Sequence, residues 1–173
     1  QVFALRRLDL ATGEDRVLCE LEDMMNPHAQ FDPGAGRWVM VQINRGGRMD
    51  PSRPGRRMTG PLGATLVAVD SDTGAVRPLP AGRPHTPRIS GHETWVGTTG
   101  RVIFTAGQYA VSASSHVTLD EPPESERGHP AAAIYQAAPG DESARVLARG
   151  LLFNHVAASD DGRFFVADDH ATG

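Results

Sequence analysis

Lysine, long apolar runs and cysteine pairs are what this sequence lacks. Its longest clean apolar stretches are short, such as Leu66–Val69, and fall far below the about 18 residues that cross a membrane. We therefore expect no membrane contact. The single Cys19 excludes a disulfide scaffold and is expected to be a small buried apolar residue. All 17 basic residues are arginine, which suits a protein that binds phosphate or carboxylate groups. Such a bias more often reflects codon usage in a GC-rich genome, and we favour that interpretation. With a net charge of -4 and no long basic stripe, we expect no nucleic-acid partner.

The 19 glycines and 13 prolines, set among 39% hydrophobic residues, are typical of many short strands joined by turns. The sequence starts at Gln1 with neither an initiator methionine nor a signal pattern, and we expect a further segment upstream of it. A leader in that segment would decide the compartment, so the cytoplasm and the periplasm both stay open.

A unit of about sixty residues repeats along the chain. Its marker is a turn glycine followed by a β-rich run, at Gly36, Gly100 and Gly162, which lie 64 and 62 residues apart. Each marker is preceded by another strand candidate, so every unit opens with an antiparallel hairpin. A second pair of short strands follows around an Asp-Thr-Gly or Pro-Gly turn, as at Leu8–Glu14 and Val67–Gly74.

Four antiparallel strands per unit, repeated side by side without helical periodicity, are the sequence signature of propeller blades. We therefore predict an all-β fold, a β-propeller fragment, divided into the end of a blade (1–25), a blade (26–87), a blade (88–150) with an insertion at 107–130, and the start of the next (151–173). The loops at 44–63 and 107–130 are predicted to be solvated insertions, with substrate-contacting lids as the alternative. Since blades bury their faces against one another, we expect the complete protein to continue in both directions.

Three histidines share one register of the repeat. His28, His92 and His155 precede their marker glycines by 8, 8 and 7 residues. If the first strand of each blade is the innermost one, these positions lie around one level of a central channel. Imidazole is both a common metal ligand and a base that titrates near neutral pH, so a metal or general-base site is one interpretation. Packing of each ring against a neighbouring blade is the other.

Two segments carry a family resemblance. The stretch from His85 to Trp95 contains a His-Glu-x-Trp element after His-Thr-Pro, and a second stretch runs from Asn154 to Gly162. Together they resemble oligogalacturonate lyases, seven-bladed propellers that cleave unsaturated digalacturonate by β-elimination. The resemblance implies that the chain holds about three of seven four-stranded blades, that its partner is a small acidic oligosaccharide derived from pectin, and that the cytoplasm is the favoured compartment.

The resemblance also implies roles for individual residues. His92 corresponds to the family's proposed catalytic base, and His155 to one ligand of a manganese ion whose other ligands, a Gln and two histidines, belong to a later blade. Removing the C5 proton of a uronate needs such a base together with a cation that offsets the charge building on the carboxylate. This chain by itself should therefore neither bind manganese tightly nor turn over substrate. We predict substrate-binding roles for His28, His85 and Arg48, with a simple turn role as the alternative for His85.

One departure from the family pattern concerns the substrate. These lyases place an arginine just before the strand that matches Thr65–Val69, where this sequence has Ala64-Thr65. A loop arginine such as Arg48 or Arg57 is a candidate substitute. The departure leaves two alternatives open: the substrate differs from digalacturonate, or the activity is lost.

Two other function classes fit a propeller. A non-catalytic platform that binds a ligand or a protein would use the histidines only for packing. A propeller that gates a serine peptidase would need a hydrolase domain with its own nucleophile motif, and none is visible here. Glu93 is expected to be structural because strand alternation turns it away from His92, and Trp95 is expected to be a core aromatic. No function is assigned to His116, His129 and His170.

Overall fold

The structure is a computed structural model that describes residues 2–49, 51–52, 57–58, 60, 62–107, 132–151 and 153–169. The described residues contain no helix and form 14 strands, which confirms the all-β prediction. The strands are β1 Val2–Leu8, β2 Asp15–Glu22, β3 Gln30–Phe31, β4 Trp38–Asn44, β5 Arg48–Met49, β6 Arg57–Met58, β7 Ala64–Asp70, β8 Val76–Pro78, β9 Ile89–Trp95, β10 Val102–Ala106, β11 Ala132–Ala137, β12 Arg145–Leu151, β13 Phe153–Ala158 and β14 Phe165–Asp169.

The strands form five antiparallel sheets, and none of them closes on itself within the described ranges. Two sheets have four strands each, in the orders β3-β4-β7-β8 and β9-β10-β11-β12, so that successive strands are neighbours apart from a small hairpin, β5-β6, inserted between β4 and β7. Two-stranded sheets, β1-β2 and β13-β14, precede and follow them. Each four-stranded sheet therefore begins on an edge strand, β3 or β9, that has a hydrogen-bonded neighbour on one side only.

The four-stranded sheets are buried on both faces because sheets pack face to face on either side of them. On β4, Met40 contributes to the cluster shared with the β9-β10-β11-β12 sheet, while Val39 and Val41 face the β1-β2 sheet. On β10, Phe104 faces the first of these clusters and Ile103 faces the β13-β14 sheet. This two-sided burial explains why β4 and β10 have nearly continuous apolar runs rather than a strict alternation with polar residues.

Several strand and residue predictions are confirmed. Every hairpin placed by the marker glycines is present, and Trp95 is buried in the core with 4% exposure. The first strand of the second unit is shorter than expected, because His28 has a φ of 43° and β3 begins two residues later. Cys19 is half-buried against the cluster around Leu5 rather than fully enclosed.

The structure describes part of the first insertion and little of the second. Within 44–63, the structure places the short β5-β6 hairpin, in which Arg48 pairs with Met58. Most of the 107–130 insertion, with His116 and His129, lies outside the described residues, as does His170. In the described part of the chain, no helix has the length and hydropathy needed to span a membrane.

One turn recurs with the same hydrogen bonds in two sheets. Asp70 is the last residue of β7, and its Oδ1 accepts from the backbone N–H groups of Asp72 at 3.0 Å and Thr73 at 2.9 Å. Asp9 directly follows β1, and its Oδ1 accepts two backbone N–H groups at 2.8 Å each. The Asp-x-x-Thr-Gly sequence therefore encodes a turn in which the carboxylate replaces missing backbone partners.

Candidate functional site

The candidate site lies where the first strands of neighbouring sheets meet. His92 is on β9 and His155 is on β13, and these two edge strands pack against each other. Both histidines sit in irregular stretches of their strands. Three residues of β9, from Ser90 to His92, lie opposite Thr105 of β10, and two residues of β13, Asn154 and His155, lie opposite Asp168 of β14. Bulges of this kind bend a strand and re-aim a side chain, and they are common beside active sites.

The two bulges bring the imidazoles of His92 and His155 into contact. Their ring centroids are 4.3 Å apart, and the ring planes are inclined by 60°. Asp168 on β14 holds His155 through both carboxylate oxygens. Oδ1 accepts the backbone N–H of His155 at 2.6 Å, and Oδ2 lies 2.8 Å from Nδ1 of its ring. The carboxylate thus fixes both the backbone and the ring of His155, and Nε2 is on the side of the ring away from Asp168.

His28 lies beside this pair but is engaged differently. Its Nδ1 is 3.1 Å from Oε1 of Glu93, the residue that follows His92 on β9. Its Nε2 is 2.8 Å from the side-chain nitrogen of Asn26. Gln30 adds a second link between the same strands, because its side-chain N–H donates to the backbone oxygen of Glu93 at 3.2 Å. The structure therefore joins His28 to β9 through Glu93.

The electrostatics of the cluster favour an uncharged His92. Burial lowers the pKa of its imidazole below the ordinary value of 6.5, and the nearby His155 and His28 lower it further, against an opposing effect of Asp168. Burial also raises the pKa of Glu93, and His28 only partly offsets that change. A neutral imidazole carries a lone pair that can accept a proton, so His92 has the charge state that a base needs near neutral pH.

As a metal centre, the cluster is incomplete among the residues that the structure describes. No group of three or more His, Cys, Asp or Glu side chains among the described residues is arranged to hold a metal ion. The part that is present does fit a metal ligand, because a histidine whose Nδ1 is held by a carboxylate is the usual second-shell arrangement behind a metal-bound Nε2. His155 with Asp168 has this arrangement.

The other two predicted substrate-binding residues are His85 and Arg48. His85 is exposed in a turn, where its backbone N–H donates to the carbonyl of Gly82 at 3.0 Å. Arg48 is exposed on β5. No hydrogen bond or ion pair between described residues joins Arg48 or His85 to the His92–His155 pair. The structure therefore brings His92 and His155 together, places His28 next to them, and leaves the roles of His85 and Arg48 as predictions.

The strand end that lacks the expected arginine has another arginine beside it. Arg45 follows Asn44, which pairs with Ala64, and its guanidinium donates to the carbonyls of Leu62 at 2.7 Å and Arg83 at 2.6 Å. Burial and the positive charge of Arg83 lower the pKa of Arg45. With its donors used on backbone carbonyls, Arg45 ties the loop to the sheet and does not take the place of a substrate-binding arginine.

Sequence reasoning missed Asp168 and the Glu93–His28 pair. A usable signal existed for Glu93: strand alternation turns it away from His92, toward the sheet that carries the preceding histidine of the repeat. For Asp168 the signal was weaker, since its partner depends on a bulge in the β13-β14 hairpin that shifts the pairing by one residue. The expectation that Glu93 does not orient His92 directly agrees with its contact to His28.

Two imidazoles on edge strands are in contact, and a carboxylate lies behind one of them. The chain is thus an all-β protein of stacked antiparallel sheets with a candidate site for acid–base and metal-assisted chemistry. No protein-family model and no curated protein sequence matches this chain. Its fold is similar to a solved structure of an oligogalacturonate lyase in complex with manganese, with a TM-score of 0.61 and 20% sequence identity. The match covers 96% of this chain and 35% of that chain, so this chain spans about a third of the lyase's length. At this identity the likeness shows a shared fold.

Proposed function

We propose that this chain is part of an oligogalacturonate lyase-like β-propeller that cleaves unsaturated oligogalacturonides in pectin degradation by metal-assisted β-elimination. The observation that carries the proposal is the contact between His92 and His155, 4.3 Å between ring centroids, in a chain that shares its fold with such a lyase. The two four-stranded sheets are, in this proposal, consecutive blades of seven, flanked by parts of two further blades.

His92 is the base in this proposal. β-Elimination removes the C5 proton of the uronate and expels the oxygen at C4, so that a double bond forms between C4 and C5. His92 accepts that proton on its unprotonated ring nitrogen. The lowered pKa of His92 supports this role, because its ring remains neutral at the pH of most cells. A general base of this kind contributes roughly 100-fold to 10,000-fold to the rate of such a reaction.

His155 is one ligand of a divalent metal, with manganese as the candidate because the fold neighbour is a manganese complex. Asp168 orients the ring so that Nε2 is presented, and it increases the basicity of that nitrogen. When bound, the metal supplies positive charge that stabilises the uronate carboxylate as charge builds on it. The remaining ligands belong to parts of the protein outside this chain.

The experiment is an elimination assay on the full-length protein that carries this chain. Unsaturated digalacturonate and manganese are supplied, and the wild type is compared with His92→Ala. We expect turnover by the wild type, loss of at least about 100-fold in His92→Ala, and wild-type rates in the exposed control Glu142→Gln. Equal rates for wild type and His92→Ala would remove His92 from the mechanism.

One observation favours a second candidate, a non-catalytic propeller that binds a ligand or a protein. Glu93 is bonded to Nδ1 of His28 and so ties β9 to the preceding sheet, and Asp168 is bonded to Nδ1 of His155 within the β13-β14 sheet, as they would be if the rings served only in packing. In that case the full-length protein binds acidic oligosaccharides in a calorimetric titration without converting them. Turnover that depends on His92 excludes this candidate.

A further inference from the structure

Glu93 is a buried carboxylate next to the proposed base. Its side chain is 1% exposed, and it lies on β9 directly after His92. Three hydrogen bonds link this part of β9 to the sheet before it. His28 Nδ1 lies 3.1 Å from Glu93 Oε1, Gln30 donates to the backbone oxygen of Glu93, and the indole N–H of Trp95 donates to the backbone oxygen of Gln30 at 3.0 Å. The stretch that carries His92 is therefore fixed from one side by Glu93 and its partners.

Packing alone does not account for a glutamate at this position. Glu93 Oε2 is buried and has no hydrogen-bond partner among the described residues. A buried carboxylate with an unsatisfied oxygen destabilises a fold, whereas an apolar side chain would fill the same space without that cost. Residues that lower stability without a packing reason are commonly found where function requires them.

We infer that Glu93 is a positioning residue of the lyase site: it holds the His28 ring with the proton on Nδ1 and, through the backbone of β9, fixes the direction in which His92 points. This inference rests on the proposed function, since it gives His92 the role of base. Glu93 itself acts through His28 and β9 and does not touch the substrate.

The contacts of His28 define its tautomer. The Asn26 side-chain nitrogen, 2.8 Å from Nε2, is a donor, so Nε2 accepts and the ring proton is on Nδ1, where it is donated to the Glu93 carboxylate. Both nitrogens of His28 are thus engaged by protein groups. His28 therefore acts as a bridge between β9 and the segment before β3, and neither nitrogen is the proton acceptor of the reaction.

The first test reads the tautomer by NMR in the full-length protein, without reference to activity. The ¹⁵N shifts of the His28 ring should show a protonated Nδ1 and an unprotonated Nε2. Glu93→Gln should keep this pattern and a protected Nδ1 proton, because its amide oxygen still accepts the bond, whereas Glu93→Ala should leave the Nδ1 proton to exchange rapidly with water. A wild-type ring protonated on Nε2, or an Nδ1 proton equally protected in Glu93→Ala, overturns the inference.

The second test separates kcat from KM for the elimination reaction in the same variants. We expect Glu93→Ala to lower kcat by about 10-fold or more with little change in KM, Glu93→Gln to restore most of the rate, and Glu142→Gln to behave as wild type. If Glu93→Ala does not fold, His28→Ala removes the same hydrogen bond from its exposed end and should give the same fall in kcat. An unchanged kcat, or a loss confined to KM, overturns the positioning role.

The two tests also separate this inference from the proposed function. A wild-type protein with no turnover refutes the lyase proposal, and the NMR pattern then still decides whether Glu93 fixes His28. Turnover by the wild type together with an Nε2-protonated His28 retains the lyase proposal and rejects the role of Glu93.

Discussion

Individual residues at the site combine burial with charge. Burial and two neighbouring imidazoles lower the pKa of His92, and burial raises the pKa of Glu93. Asp168, in contrast, is half-exposed and takes two N–H groups of His155. The cluster thus places the partly buried imidazole of His92 beside two histidines that are each held by a carboxylate.

Glu93 should make the stability of the protein depend on pH. A carboxyl group whose pKa is higher in the folded state stabilises the fold at pH values below its unfolded pKa, near 4.5, and this contribution is lost as the pH rises through the folded value. Each unit of that increase corresponds to about 1.4 kcal/mol. Because glutamine does not ionise, the Tm of Glu93→Gln relative to wild type should rise between pH 4.5 and pH 7.5 in thermal melts.

Glu142→Gln makes the same chemical change at an exposed position of the same sheet, and its Tm difference should stay flat over that range. A Tm difference for Glu93→Gln that is constant or falls with pH would show that burial does not oppose the ionisation of Glu93.

At the scale of elements, the turns terminate strands and also connect neighbouring sheets. Asp70 is 6% exposed, bonds two backbone N–H groups and accepts from Arg37 Nε at 3.0 Å, while Asp9 makes the same turn bonds at an exposed position. The backbone bonds and Arg37 hold the pKa of Asp70 well below its usual range. The two turns therefore share one sequence pattern and one set of hydrogen bonds, but one turn is buried and the other is exposed.

Asp70→Asn should lower the Tm more than Asp9→Asn does. The depressed pKa of Asp70 means that its contribution to stability is present above the unfolded value of about 3.8 and is lost as the pH falls through the folded value. The gap in Tm between Asp70→Asn and wild type should therefore be widest at neutral pH and narrow in acid. Equal effects of the two substitutions at pH 7 would argue against the special position of the Asp70 turn.

The β9-β10 turn offers a matched pair of glycines. Gly97 has a φ of 46°, and a Cβ there would overlap the backbone carbonyl oxygen of Asp160 in the next sheet, whereas Gly100, with a φ of 68°, has open space around it. Both alanine substitutions strain the backbone, but only Gly97→Ala also pushes two sheets apart. We expect Gly97→Ala to cost more free energy of unfolding than Gly100→Ala by about 1–3 kcal/mol, measured by denaturant titration. Equal losses would mean that this sheet contact is dispensable.

The elements were more predictable than the site. Turn glycines and apolar runs located the hairpins because strand pairing across a short turn is a local property of the sequence. Equal register of His92 and His155 also followed from the repeat. The bulges that aim these two rings, and the carboxylates of Asp168 and Glu93 behind them, depend on pairing and packing between strands that no spacing along the chain encodes.

At the scale of the whole molecule, the site forms because successive sheets pack face to face. Each four-stranded sheet buries apolar side chains on both faces, and the site lies where three successive sheets meet. His92 and His155 lie on the edge strands β9 and β13 of two sheets, and His28 lies just before the edge strand β3 of a third, so the distances between them depend on how the sheets pack. The fold neighbour is about three times as long as this chain, which agrees with a metal site completed by other parts of the protein.

The central claim is that His155 binds a metal and that His92, beside it, is a base that does not bind the metal. Manganese binding tests this claim most directly. Titration of the full-length protein with Mn²⁺, followed by electron paramagnetic resonance, reads free and bound metal for the wild type, His92→Ala and His155→Ala. We predict one bound manganese in the wild type, an unchanged affinity in His92→Ala, and an affinity at least about 10-fold weaker in His155→Ala. Equal affinities for His155→Ala and the wild type, or a wild-type protein that binds no manganese, would contradict the account.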